Sequence, residues 1–199
     1  MSKPLIYLAS ASPRRRELLA QVGIDHEARP VDVDESEHAG ESPANYVARL
    51  AALKARNLWS QLPAALERPV LAADTTVELD GVIFGKPATR ASLQDMLGRL
   101  SGRTHQVHTA VALMCTAGLT ARLSTSQVTF RELSTAEVDA YWSTGEPADK
   151  AGGYAVQGRA AVFISHISGS YSGVMGLPLF ETWELLDPVL GLKPRGAAA

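Results

Sequence analysis

Hydrophobic residues in the first part of the chain alternate between short runs and helix-type stripes. Residues 5–9 form an apolar run typical of a buried strand. Leu18, Leu19 and Val22 then fall on one face of a helix. Residues 27–36, EARPVDVDES, are interpreted as a second strand that fades into an acidic loop. The chain is therefore predicted to open with strand, helix and strand.

A longer amphipathic stretch follows this opening. Ser42 and Pro43 suit an N-cap and a first helical position, and the predicted helix runs to roughly Trp59. Its apolar stripe consists of Val47, Leu50, Ala51 and Leu58. Lys54 lies on that same face. It is either a lysine that snorkels at the edge of the core or an ammonium group that reaches into a site.

The rest of the chain contains both hairpins and helices. Asp80 followed by Gly81, between two apolar runs, is a strong signal for a tight hairpin. Thr89 is the predicted cap of a third helix, and Ser134 with Glu137 forms a predicted capping box for a fourth. Because strands and helices interleave while hairpins are also present, the sequence predicts an α/β fold with a mixed, partly antiparallel sheet flanked by helices.

Four further segments complete the predicted order of elements. Two long strands flank a turn at Gly118, and residues 147–158 are glycine-rich and irregular. Residues 160–174 are predicted as a strand followed by a loop rich in glycine and serine. Pro178 is predicted to start a closing helix.

Length and composition limit the classes of protein that fit. The 199 residues suit one domain, predicted over residues 1–190, with a disordered tail at 191–199. The net charge of −2, from 19 basic and 21 acidic residues, argues against a general nucleic-acid-binding surface. No stretch approaches the roughly 18–20 apolar residues of a membrane span, and the first apolar run is too short for a signal peptide. We expect a soluble, cytoplasmic protein that binds neither nucleic acid nor membrane.

Cysteine and histidine carry little chemistry here. Cys115 is the only cysteine, so no internal disulfide exists, and it is predicted to be a small buried hydrophobic residue. His105 and His108 are three apart in a predicted strand, which puts them on opposite faces. The sequence has no Cys/His cluster with zinc spacing. Any metal is therefore expected to be a hard cation held by carboxylates and phosphates.

Three arginines stand in the first turn of the first predicted helix, behind Ser12 as the predicted N-cap. Arg14, Arg15 and Arg16 each oppose the positive end of the helix dipole by about 0.3–1 kcal/mol. A bound polyanion would reverse this cost, because helix amides and guanidinium groups would all attract phosphate oxygens. The alternative is a solvated basic turn paired with a nearby acid. Ser10 at the same point favours phosphate binding.

Two acids and a second lysine complete the candidate chemistry. Asp74 interrupts an apolar strand, where a carboxylate costs free energy unless it is paired or lies at the strand end. It is therefore a candidate general base or metal ligand. Glu35, in an acidic stretch, is its candidate partner, since two carboxylates can hold Mg²⁺ while phosphates fill other positions. Lys86 follows the hairpin. With the arginines and Lys54, this set suits metal-assisted phosphoryl chemistry.

Six motifs stand in order over about residues 4–190: LASASPRRREL, YVARLAALKA, LAADTTVELDGVIFGKP, LSGRTHQVHTAV, DKAGGYAVQG and ISGSYSGVMGLPLFETWELL. In combination they resemble the Maf family of nucleoside triphosphate pyrophosphatases. The resemblance implies an inosine triphosphatase-like (Maf/Ham1) fold, with two lobes and a central cleft. It also implies release of pyrophosphate from a nucleoside triphosphate, a divalent cation (Mg²⁺, Mn²⁺ or Co²⁺) and a homodimer.

The resemblance gives roles to the first group of candidate residues. Asp74 matches the proton acceptor of the family. Ser10, Arg14 and Arg15 match its phosphate-binding start. Arg16 has no match and is expected to be an ordinary surface residue.

The remaining acid and lysines also have matches. Glu35, Lys54 and Lys86 correspond to the other acid and lysines of the family's catalytic set, and Glu35 with Asp74 is the implied metal pair. Glu35 is aligned through a weak stretch, and Asp34 is the competing choice for the second acid.

Three positions are implied to set base specificity, namely Arg14, Thr75 and Gln157. The 7-methyl-GTP branch of the family carries Asp-Gln in place of Asp74 and Thr75, and Glu in place of Gln157, so this chain resembles the dTTP/UTP branch. A glutamine amide both donates and accepts, which suits the uracil or thymine edge.

The sequence therefore predicts a pyrophosphatase for dTTP and UTP, or for modified pyrimidine nucleotides. Such an enzyme prevents incorporation of unwanted nucleotides, and the resemblance links it to cell-division arrest. Two alternatives stand beside this prediction. One is a pyrophosphatase for a methylated nucleotide such as 7-methyl-GTP. The other is a nucleotide-sensing inhibitor of septum formation without turnover, which would not need Asp74.

Overall fold

The structure is a computed structural model that describes residues 5–63 and 68–192. Within them, seven strands form one sheet in the order β2-β1-β3-β5-β6-β7, and β4 pairs with β3 alone. The strands are β1 (Ile6–Leu8), β2 (His26–Ala28), β3 (Val70–Leu79), β4 (Val82–Phe84), β5 (Thr104–Cys115), β6 (Gly118–Phe130) and β7 (Ile164–Ser168). The helices are α1 (Pro13–Gln21), α2 (Pro43–Gln61), α3 (Arg90–Leu100), α4 (Thr135–Trp142), α5 (Tyr171–Met175) and α6 (Leu179–Leu190).

The sheet is mixed, as predicted. β1 is parallel to both β2 and β3, whereas β3–β4, β3–β5, β5–β6 and β6–β7 are antiparallel pairs. The pairs β3–β4 and β5–β6 are hairpins with short turns, whereas β3–β5 and β6–β7 are joined through intervening helices. β1 also reaches its parallel neighbours through helical connections, as parallel pairing requires.

The central strand β3 is covered on both faces. Its side chains alternate, so Leu71 and Ala73 pack in a cluster with α1 and α6, while Val70 and Ala72 pack in a cluster with α2. The predicted α2 stripe is buried together with Ala55, and Val47, Ala51 and Leu58 of the stripe belong to that second cluster. Burial on both faces explains why the first four residues of β3, 70–73, are continuously apolar.

A third cluster lies further along the same face as α1 and α6. It joins Val77 of β3 to leucines of α3 and to Val138 of α4. Thr75 separates the two clusters along the strand, and its side chain makes polar contacts instead. This face of the sheet therefore carries two separate apolar cores, with a polar crossing point between them.

Local signals in the sequence are confirmed where they concern turns and caps. Asp80 and Gly81 have φ values of 54° and 80°, the left-handed conformation that a two-residue hairpin requires. Thr89 caps α3, and Ser134 with Glu137 forms the capping box of α4. These features depend on residues only a few positions apart.

Other local predictions are wrong in detail. β2 begins at His26 and ends at Ala28, so most of the predicted second strand is loop. Ser12 occupies the N-cap position of α1, but its side chain makes no capping bond, and its amide instead donates to Ser10 Oγ at 3.2 Å. α5 lies within the segment predicted as a glycine/serine loop. Its cap is Ser170, whose hydroxyl accepts a hydrogen bond from the backbone amide of Gly173.

The predicted disordered tail lies outside the described residues from position 193 onward. Gly191, with φ of 59°, ends α6, and Leu192 packs against the cluster of α1 and α6. Among the described residues, no helix combines the length and apolarity needed to cross a bilayer.

Candidate active site

The site lies at a gap along one edge of β3. β1 pairs with β3 only as far as Leu8 opposite Leu71, and β4 begins to pair at Phe84 opposite Val77. Among the strands of the described residues, none pairs with this edge between those points, although β5 pairs with the other edge along the same length. The segments that follow β1 and β4 therefore form two walls of a cleft, and Asp74 lies on its floor.

Asp74, Lys54 and Glu35 meet at this floor. Asp74 lies on the α2 side of β3, where Lys54 Nζ donates to Asp74 Oδ1 at 2.7 Å. The same Nζ lies 2.5 Å from Glu35 Oε1. The side chains of Lys54 and Asp74 are each only 11% exposed. The structure therefore favours the interpretation in which the Lys54 ammonium reaches into the site.

The two carboxylates have opposite electrostatic environments. Burial is the largest influence on the pKa of Asp74 and raises it, although the charges of Lys54 and Arg15 oppose this. Burial also raises the pKa of Glu35, but the hydrogen bond and charge of Lys54, with the charges of Lys86 and Arg15, outweigh it and lower this pKa overall. Glu35 thus stays ionised, while Asp74 keeps a stronger affinity for a proton. This affinity suits a general base.

Helix α2 holds Glu35 in place through the backbone of its loop. The Tyr46 hydroxyl donates to the Glu35 carbonyl at 2.9 Å, and Arg49 Nη2 donates to the Ser36 carbonyl at 2.9 Å. Asp34, the competing acid, is exposed and accepts a hydrogen bond from the Ser36 amide at 2.9 Å. Of the two acids, Glu35 is the one that contacts the lysine.

Arg15 connects three elements on the other side of β3. Its Nε donates to the Gly176 carbonyl at 2.8 Å, Nη1 donates to Ser10 Oγ at 3.1 Å, and Nη2 donates to Thr75 Oγ1 at 3.3 Å. Thr75 Oγ1 also accepts from Thr109 Oγ1 at 3.0 Å. This network fixes the guanidinium at the wall of the cleft and brings three of the sequence-predicted residues together.

The other two arginines of α1 have different environments. Arg16 is exposed, as expected, whereas Arg14 lines the cleft with Nη1 3.8 Å from Asp149 Oδ2. Asp149 also pairs with Lys150, whose Nζ donates to the Glu146 carbonyl at 3.2 Å. Sequence reasoning missed Asp149 and Lys150 as cleft residues. Both residues stand in the motif DKAGGYAVQG, in which only Gln157 is a predicted site residue.

The far wall of the cleft is formed by the segment that follows β4 and by the motif DKAGGYAVQG. Lys86 and Gln157 both line the cleft and are exposed. The Gly152 amide donates to the Gly85 carbonyl at 2.9 Å, so the segment bearing Gln157 docks beside Lys86. Gly152 has φ of 68°, and a Cβ there would lie 2.7 Å from Val77 Cγ2, so the close approach requires glycine.

The cleft has a volume of about 570 Å³, and five basic against three acidic side chains line it. The basic side chains that line it are Arg14, Arg15, Lys54, Lys86 and Lys150. All sequence-predicted site residues line it too: Ser10, Arg14, Arg15, Glu35, Lys54, Asp74, Thr75, Lys86 and Gln157. Together with the amides at the start of α1, these cations suit a polyphosphate. Asp74 beside them can accept a proton from water.

Glu35 and Asp74 also form the pair best placed to hold a cation. Their oxygens already converge on one positive charge, the Lys54 ammonium. Over residues 5–63 and 68–192, no group of three or more His, Cys, Asp or Glu is arranged to hold a metal ion. Two carboxylates are nevertheless the usual protein share of a Mg²⁺ site, with water and substrate phosphate completing the shell.

The histidines and the cysteine take no part in the cleft. His105 Nε2 hydrogen-bonds to the Tyr154 hydroxyl at 2.8 Å within the α3–α4 cluster, and His108 Nδ1 hydrogen-bonds to Thr125 Oγ1 at 2.9 Å. Burial lowers the pKa of His105 to about 4, so it is neutral at physiological pH. Cys115 is partly buried at the end of β5.

Comparison with known proteins agrees with this cleft chemistry. The profile of a family described as Maf-like protein matches residues 5–189. A protein from Alkalilimnicola ehrlichii named dTTP/UTP pyrophosphatase is 55% identical over 188 residues, which cover 93% of each chain. One of the same name from Nitrosomonas europaea is 53% identical over 195 residues, covering 92% of this chain and 93% of its own. The solved Ham1 protein of Staphylococcus aureus overlaps with a TM-score of 0.44 and 18% identity, over 63% of this chain and 71% of its own.

Proposed function

The chain belongs to the Maf-like protein family, and on that premise we propose that it is a nucleoside triphosphate pyrophosphatase that hydrolyses dTTP and UTP. The observation that carries the proposal is the convergence of a proton-accepting carboxylate and a set of cations in one cleft, in a chain more than half identical to relatives with that name. The products are the nucleoside monophosphate and pyrophosphate.

The chemistry follows from the geometry of the cleft floor. Because the Lys54 ammonium donates a hydrogen bond to Oδ1 of Asp74, Oδ2 is the atom that accepts a proton from the attacking water. The water oxygen bonds to the α-phosphorus, the bond from that phosphorus to the bridging oxygen breaks, and pyrophosphate leaves. Arg14, Arg15 and Lys86 neutralise charge on the phosphate chain, which stabilises the transition state more than the free substrate. Gln157 faces the base and offers both a donor and an acceptor to a uracil or thymine edge.

A divalent cation is part of the proposal, with Mg²⁺, Mn²⁺ and Co²⁺ as candidates. Glu35 and Asp74 would hold it, since both already contact a single positive charge. When bound, such an ion polarises the phosphate and lowers the pKa of water. Lys54 keeps the two carboxylates close together in its absence.

The alternatives are less well supported. Relatives named dTTP/UTP pyrophosphatase, together with Thr75 and Gln157, argue against a 7-methyl-GTP substrate. A sensor without turnover would not need an acid with a raised pKa beside the phosphate-binding cations. Modified pyrimidine nucleotides as cellular targets, the homodimer, the cytoplasmic location, the absence of nucleic-acid binding and any link to cell division stay predictions.

The test is a panel of triphosphates with identification of the product. Purified protein is incubated with Mg²⁺, Mn²⁺ or Co²⁺ and with UTP, dTTP, CTP, GTP or 7-methyl-GTP. We expect pyrophosphate release, fastest from UTP and dTTP, and loss of activity in excess chelator. Orthophosphate as the product would refute the bond assignment, and equal rates on all bases would refute the pyrimidine assignment.

A further inference from the structure

The loop that carries Gln157, residues 155–160, is held by the carboxylate of Glu146. Glu146 Oε1 accepts from the Tyr141 hydroxyl at 2.8 Å and from the Ala160 amide at 3.4 Å. Glu146 Oε2 accepts from the Arg159 amide at 3.0 Å. The Glu146 side chain thus ties the C-terminal end of the loop to helix α4.

The other end of the loop is tied to the same group. The Tyr141 hydroxyl accepts a hydrogen bond from the Ala155 amide at 3.3 Å while donating to Glu146. Gln157 lies between these two attachments and is exposed to the cleft, with no side-chain partner of its own in the described structure. Its direction is therefore set by the backbone of residues 155–160, and that backbone is set by Tyr141 and Glu146.

Glycine at position 158 is part of this arrangement. A Cβ there would lie 2.3 Å from Glu146 Oε1, so the carboxylate occupies the space that any other residue would need. Glu146 also has a lowered pKa. Burial raises it, but hydrogen bonds from the Arg159 amide, the Tyr141 hydroxyl and the Ala160 amide outweigh burial. The carboxylate remains ionised and acts as a strong acceptor for the loop amides.

We propose that Glu146, together with Tyr141, is a positioning residue for base discrimination, and that it acts by holding the loop that aims Gln157 at the pyrimidine edge. The proposal rests on the proposed function, because it assigns Gln157 to base recognition. Neither residue lines the cleft, so neither contacts substrate. Their effect falls on the preference for uracil over cytosine, because cytosine reverses the donor and acceptor that a fixed amide would meet.

The experiment compares Glu146→Ala and Tyr141→Phe with Glu137→Ala. Glu137 is a matched control because it is a carboxylate of the same α4 region that caps the helix and pairs with Arg131, and it makes no hydrogen bond to residues 155–160. For each variant, kcat and KM are measured with UTP and CTP, and amide hydrogen exchange is measured over residues 155–160. Gln157→Ala and the double variant with Glu146→Ala complete a cycle. Tyr141→Phe removes one oxygen only, so it decides the question if Glu146→Ala does not fold.

We expect the UTP/CTP ratio of kcat/KM to fall by about tenfold in the Glu146 and Tyr141 variants, as a misplaced hydrogen bond would produce. Exchange over the loop should rise, and Glu146→Ala should cause no further fall when Gln157 is already alanine. Glu137→Ala should lose stability but keep the ratio. An unchanged ratio in folded Tyr141→Phe, with Gln157→Ala reduced, would overturn the inference alone. A wild-type enzyme without preference for UTP over CTP would instead refute the proposed base specificity, and unchanged loop exchange would then refute the positioning role separately.

Discussion

Removing the charge of Asp74 and removing that of Lys54 should have very unequal effects on the free energy of unfolding. In Asp74→Asn, Lys54 still lies 2.5 Å from Glu35, and the new amide oxygen can still accept a hydrogen bond from it. In Lys54→Met, Glu35 and Asp74 face each other without the cation that joins them. We therefore expect Asp74→Asn to stay within about 1 kcal/mol of the wild-type free energy of unfolding, and Lys54→Met to lose about 3–5 kcal/mol.

The free energy of unfolding of wild type and Asp74→Asn should depend differently on pH. The pKa of Asp74 is raised in the folded protein, so folding strengthens proton binding at this group. That contribution to stability is present at low pH and is lost as pH rises from the unfolded value to the raised folded one. Above this window the wild type buries a charge that Asp74→Asn does not. The variant should therefore gain in stability relative to the wild type as pH rises through it.

The measurement is chemical denaturation of both variants at several pH values, with turnover of UTP measured in parallel. Loss of the general base should lower kcat about 10²–10⁴-fold in Asp74→Asn. Asp139→Asn, which breaks a surface pair with Arg90, is the control and should leave turnover unchanged. If Asp74→Asn were as destabilised as Lys54→Met, the argument from charge burial would be wrong. Full turnover in Asp74→Asn would remove Asp74 from the mechanism.

Three further predictions follow from the same contacts. Asp74 must be ionised to accept a proton, and burial raises its pKa. As the pH is lowered, kcat/KM for UTP should therefore fall with an apparent pKa above the ordinary aspartate value of about 3.9. An apparent pKa at or below that value would contradict the raised pKa of Asp74. Arg15→Ala removes hydrogen bonds to Ser10, Thr75 and Gly176 and should raise KM strongly. Arg16→Ala, on the exposed side of α1, should match the wild type in the same assay. Equal effects of the two variants would contradict a binding role for Arg15 alone. Gly158→Ala should lower the free energy of unfolding by about 1–3 kcal/mol because its Cβ meets Glu146. Thermal unfolding measures this loss. The control is Gly98→Ala, whose Cβ meets nothing within 4 Å and which should be neutral or stabilising.

Specific residues show which parts of the fold were predictable. Thr89 and Ser134 were identified as caps because a cap depends on a backbone amide three positions away. Asp80 and Gly81 marked the hairpin because a two-residue turn restricts φ at those two positions alone. The same reasoning failed at Ser12, whose side chain was predicted to cap α1. The Ser12 amide instead donates to Ser10 Oγ, which also accepts a hydrogen bond from Arg15.

The sequence by itself determined most of the local elements, the α2 stripe, the mixed sheet and, through resemblance, which residue types would line the site. Only the tertiary structure decided how they meet. Lys54 could have snorkelled to solvent, and Asp34 could have been the second acid. The choice depends on the gap between β1 and β4 and on the packing of α2 against β3. Arg15 binds a carbonyl 161 positions away, and Asp149 reaches Arg14 from a short 3-10 helix far along the chain. Such contacts carry no short-range pattern, because they depend on where the chain returns in space rather than on spacing along it.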